Sequence, residues 1–177
     1  MSDTSAAGST HGTGRVAATA RWLISMDPPG LLYGAVLSAA VIAMVTDHPD
    51  DSTRVAVTTS VVLVIYWLAH SYIYALSDRL RGDQGPARGL LKRALVHETS
   101  VLMGGAPAIV VYVIATALGR TVTQAGNVAL WFSVLLLAAV GFVGGHHAGY
   151  RGVGAIKEAL GAALLGALVI FAKSLLH

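Results

Sequence analysis

Cysteine is absent from this 177-residue chain. That excludes disulfides, thiolate metal ligands and a cysteine nucleophile. Charge is scarce too: 12% of residues are Asp, Glu, Lys or Arg, against about 25% in an ordinary soluble domain. Catalytic signatures are missing as well. The sequence holds no P-loop, no GxSxG, no HExxH and no pair of acids within an apolar run, so the residues predict no enzyme. With a net charge of +3 and basic residues placed beside apolar runs, no nucleic-acid partner is expected.

What the chain does contain is long apolar runs. Five of them, 30–46, 55–76, 99–118, 128–145 and 159–176, have 17 to 22 residues and hold no Asp, Glu or Arg. About 20 residues at ~1.5 Å each cross a ~30 Å hydrocarbon layer. The fold class that follows is all-α: a polytopic transmembrane helical bundle of five spans in a lipid bilayer. Residues 1–29 read as a polar N-terminal tail, with Arg15–Met26 (RVAATARWLISM) as a short interfacial helix, and 30–177 as one transmembrane domain. The tail lacks the early apolar region and small-residue cleavage site of a secretory signal.

Basic residues set the orientation. If successive connections alternate sides, nine of the twelve Lys and Arg fall on the side of the N-terminus: Arg15, Arg21, Arg79, Arg81, Arg88, Lys92, Arg93, Arg151 and Lys157. Only Arg54, Arg120 and Lys173 fall opposite. Positive charge stays inside, which predicts an N-terminus in the cytoplasm and a C-terminus outside. Nine Arg to three Lys, with abundant Ala and Gly, suggests a GC-rich bacterial genome and hence the cytoplasmic (inner) membrane. In the connection after the second run, Gly82–Pro86 reads as a turn and Ala87–His97 (ARGLLKRALVH) as a helix. That helix either lies at anionic headgroups or runs directly into the third span.

Three sets of residues are candidates for function. The first is an intramembrane stripe. Thr59, Tyr66, His70 and Tyr74 recur at steps of seven, four and four in the second run, so they share one helix face that must meet protein or water. His70 is the one ionisable group well inside an otherwise apolar run. A buried ionisable group is a functional candidate by default, which makes His70, Tyr66 and Tyr74 transport or proton-relay candidates. The competing account is an internal hydrogen bond between the imidazole and a Tyr or a carbonyl.

The second set is a cluster inferred from topology. Asp78, His97, Glu98, His146, His147, Lys157 and Glu158 all fall at the inner ends of runs. His97, Glu98, His146, His147 and Glu158 are therefore metal candidates, since imidazole with carboxylate suits a divalent cation such as Zn, Fe, Mn, Ni or Co. No cofactor is firmly implied. The same groups would serve a proton path, because imidazole titrates near neutral pH, or would simply hold helix ends at the headgroups. His146 and His147 are adjacent and so point about 100° apart on a helix.

The third set concerns packing. Gly141, Gly145 and Gly149 form a small-residue row, which allows close approach to another helix of this chain or of a second copy in a homo-oligomer. Pro107 is expected to kink the third span. The five-span outline with His and carboxylate at the inner face resembles vacuolar-iron-transporter-like proteins. That family's acidic residue in the first span and ligand-rich extension after the second have no counterpart in GLLYGAVLSAAVIAMVT or in the short basic connection, so no family is assigned.

Two functions from different classes follow. One is a small proton or metal-cation channel or transporter built on the inner His and carboxylate groups. The other is a non-transporting accessory, assembly or scaffold protein that acts through its Gly and Ala faces.

Overall fold

The computed structural model describes residues 28–46, 51–82, 85–150 and 152–175. The tail and the Arg15–Met26 segment lie outside the described residues. Six helices appear among the described residues and no strands: α1 (Pro28–Val45), α2 (Ser52–Leu80), α3 (Ala87–His97), α4 (Thr99–Ala117), α5 (Val122–His147) and α6 (Val153–Leu175). Four segments are long and apolar enough to cross a membrane: α2, α3 with α4 as one unit, α5 and α6. The apolar stretch Pro29–Val45 of α1 is shorter. At ~1.5 Å per residue, α1 is ~27 Å long, close to the thickness of the hydrocarbon layer.

The exposed surface carries the membrane reading further. Val57, Val61, Ile65, Leu68, Ile73, Trp131, Leu135, Leu164, Leu168 and Phe171 are all exposed. In water, apolar faces this continuous would demand a partner. In lipid they need none. The fold defines an integral, multi-pass helical membrane protein.

α1 is apolar on all sides and lies at the centre, packing against α2, α4, α5 and α6. Its small residues make that possible. Gly34, Ala35, Ser38, Ala39, Ile42 and Ala43 are buried on two adjoining faces. The tightest approach is to α4: a methyl group on Gly34 would overlap the Val101 carbonyl, and one on Gly104 would overlap the Leu31 carbonyl. In lipid, where burial from water drives nothing, such backbone proximity is a main source of helix association.

Three boundaries differ from the expected ones. α2 begins at Ser52, where the Asp51 side chain accepts a hydrogen bond from the Thr53 amide at 2.8 Å. α5 begins at Val122, six residues before the expected start. A reciprocal cap explains it: the Gln124 amide donates to Thr121 Oγ1 and the Thr121 amide to Gln124 Oε1. α6 begins at Val153, six residues before the expected start, because its second turn carries Lys157 and Glu158, whose charge lowers the average hydropathy there. Pro107 lies inside α4, which remains one helix from Thr99 to Ala117.

Of the glycine row, Gly141 and Gly145 face α6 of the same chain. A methyl on Gly141 would stand 2.7 Å from Ala162 Cβ and 2.8 Å from the Glu158 carbonyl, and one on Gly145 would stand 3.0 Å from Glu158 Cβ. Gly149 departs from the expectation, because it is past the end of α5. Its φ of +86° suits glycine, nothing lies within 4 Å of where its Cβ would be, and the Tyr150 amide donates back to the Gly145 carbonyl. It ends the helix rather than packing it.

Candidate functional site at the α3–α4 junction

A single residue, Glu98, separates α3 from α4. The Glu98 amide still donates to the Ala94 carbonyl at 2.9 Å, and its own carbonyl accepts from the Val101 amide at 3.1 Å. With φ −81° and ψ 3° it stands between α3 and α4. α3 buries Leu90 and Ala94 and keeps Arg88, Lys92 and Arg93 exposed. α4 then runs into the bundle. The turn between them carries the Glu98 carboxylate inward, leaving the residue 3% exposed.

Two imidazoles meet it there. His97 Nδ1 is 3.4 Å from Glu98 Oε1, and His70 Nε2 is 3.6 Å from Glu98 Oε2. Each carboxylate oxygen thus faces one ring nitrogen. The histidines remain open to the outside, with side chains 37% exposed at His70 and 47% at His97, against 4% at Glu98. A buried carboxylate is costly unless charge and hydrogen bonds compensate, and here the compensation comes from groups that can themselves gain or lose a proton.

Aromatic rings hold both imidazoles. The Tyr66 ring stacks on His70 at a centroid distance of 5.6 Å and an angle of 15°, and Tyr33 of α1 lies tilted against it at 6.2 Å. Tyr74 stacks on His97 at 4.7 Å and 22°. Spacing along α2 explains the arrangement: residues 66, 70 and 74 are successive turns of one face. Trp67 closes the corner, its indole Nε1 donating to the Leu95 carbonyl at 3.3 Å, which also accepts from Thr99 Oγ1 at 3.0 Å. Tyr33 and Trp67 were not among the sequence candidates. Tyr33 comes from a distant part of the chain, and Trp67 reads as an ordinary apolar residue in its run.

The fourth member of the expected stripe serves elsewhere: Thr59 is buried and donates to the Val55 carbonyl at 2.8 Å. Two residues on from Glu98, the Ser100 hydroxyl is buried without a hydrogen-bond partner, as is that of Ser38 on α1. Beyond them Leu63 and Ser38 close over Gly105.

The remaining candidates do not join this site. His146 and Glu158 are exposed at the α5–α6 turn, and no hydrogen bond or ion pair links them among the described residues. The side chain of His147 lies outside the described residues. Asp78 is half-buried near the end of α2. Among the described residues, no group of three or more His, Asp or Glu side chains is placed to hold a metal ion. The topological cluster therefore divides into a closed triad at α2, α3 and α4 and open residues at α5 and α6. Compared with models of protein families, with curated proteins and with solved structures, the chain matches none.

Proposed function

We propose that this membrane protein passes protons, with Glu98 as the proton-holding carboxylate and His70 and His97 as the groups that exchange protons with it. The observation that carries this reading is the contrast in exposure within the triad: a nearly sealed carboxylate with a half-exposed imidazole at each oxygen. Such an arrangement lets a proton reach a buried acid without water entering beside it. The Ser100 and Ser38 hydroxyls, buried and unpartnered, supply further donors and acceptors toward the middle of the bundle. Neither a metal cargo nor a covalent reaction is part of the proposal. The orientation is the one the basic residues favour, N-terminus inside and C-terminus outside in a cytoplasmic membrane, with the triad near the inner face.

A specific observation favours a second reading. Leu63 and Ser38 pack over Gly105, so the seam above the triad is narrow. On that reading the triad locks α2, α3 and α4 together in a non-transporting scaffold. Reconstitution into vesicles with a clamped membrane potential separates the two. Proton flux above that of empty vesicles, lost in a folded Glu98→Gln variant, supports the proposal. Flux equal to that of empty vesicles for the unsubstituted chain removes it and leaves the scaffold.

A further inference from the structure

The outward face of α3 bounds an open groove of about 560 Å³ lined by Gly89, Lys92, Arg93, Val96 and His97. Gly89 leaves the groove open at its base, since it projects no side chain. Lys92 and Arg93 bring two cationic groups to it. Val96, 69% exposed, adds an apolar wall at the end of α3 where the chain turns into α4. Charge along this stretch of the sequence is strongly one-sided: residues 78 to 97 include Arg79, Arg81, Arg88, Lys92 and Arg93 against Asp78 and Asp83.

We infer that this groove holds the headgroup of an anionic phospholipid, its phosphate between Lys92 and Arg93 and its glycerol and upper acyl carbons over Val96. Three features select a lipid over a soluble anion. α3 leads directly into a membrane span through a single turn residue, which places it at headgroup depth. Its inner face is fixed by buried Leu90 and Ala94 and by the Trp67 hydrogen bond, so the cationic face is held outward. An apolar wall beside the cations matches an amphiphile and offers nothing to free phosphate. Basic clusters next to a span attract anionic lipid, and the groove adds shape to that attraction. The inference does not depend on whether Glu98 carries protons.

Native mass spectrometry of the full chain, released from detergent with phosphatidylglycerol or phosphatidylcholine added, tests it. The unsubstituted protein should retain phosphatidylglycerol at least tenfold more than phosphatidylcholine. A Lys92→Gln/Arg93→Gln variant should lose that preference. An Arg54→Gln/Arg120→Gln variant, which removes the same charge at the opposite end of the bundle, should keep it, and so should the charge-conserving Lys92→Arg/Arg93→Lys variant, which shows that the fold tolerates change there. Equal loss in both Gln pairs would reduce the effect to net charge and overturn the site. So would a lack of preference in the unsubstituted chain, or displacement of the lipid by millimolar inorganic phosphate.

Discussion

Both ends of this chain's two glutamate stories begin alike. Glu98 follows a histidine just before α4, and Glu158 stands in the second turn of α6, which follows His146 and His147 after a short connection. Both lie where spans meet the same end of the bundle. Yet Glu98 is 3% exposed and touches two imidazoles, whereas Glu158 and His146 are exposed and no ion pair links either of them to another group among the described residues. The difference lies in the connections. A full helix, α3, folds back over α2 before α4 begins, and it covers the acid. The link from α5 to α6 has no helix of its own among the described residues, and Glu158 stays exposed beside it. There Gly141 meets the Glu158 carbonyl and Gly145 meets the Glu158 Cβ and Cγ, so the stem of the glutamate packs while the residue stays exposed. One corner of the bundle places chemistry inside, and the other places only packing there.

The largest expected effect tests this contrast directly. Glu98→Gln should bring proton flux in vesicles to background, and His70→Gln should lower it by about a hundredfold, the low end of what a positioned proton-transfer group contributes. Glu158→Gln should leave flux unchanged. Loss of flux in Glu158→Gln would show that the two corners act together. Next in size, Gly141→Leu should destabilise the α5–α6 pair by about 3 kcal/mol, because the added atoms meet Ala162 and the Glu158 carbonyl. Thermal unfolding in detergent reads this, and an unchanged midpoint would mean that the two helices can separate freely. Gly149→Ala should cost about 1 kcal/mol through the left-handed backbone alone, with the packing intact. Trp67→Phe removes one hydrogen bond to the Leu95 carbonyl and should cost a similar ~1 kcal/mol. If it also lowers flux, the hold of α3 over the triad is part of the mechanism. The smallest effect belongs to His146→Gln, which should stay within about 0.5 kcal/mol of the unsubstituted protein.

Much of this architecture was legible before any folding. The apolar runs marked the spans, and Pro86 with the Leu90, Leu91 and Leu95 pattern marked α3 at the bounds the structure has. The steps from Tyr66 to His70 to Tyr74 placed three aromatic rings on one side of α2. Where reading by hydropathy went astray, polar residues sat inside helices. Thr121 and Gln124 cap α5, and Lys157 and Glu158 belong to the first turns of α6, but each looks like loop when averaged over a window. The Thr121-x-x-Gln124 spacing was a visible signal that the apolar count overrode. Gly149 misled for a different reason: a small residue four positions on continues a packing row only if the helix continues too.

The sequence by itself determined the solvent, the helical class and which residues fall at which depth, because those follow from run length and from the period of one helix. Which helix sits in the centre, which glycines touch, and which of two glutamates is sealed were decided by tertiary structure alone. Depth is a one-dimensional property that every helix carries with it. Contact depends on the rotation of each helix about its own axis and on what the connecting segment covers. Those are settled by close backbone approach between Gly34 and Val101, and between Gly104 and Leu31, across parts of the chain that no local pattern joins.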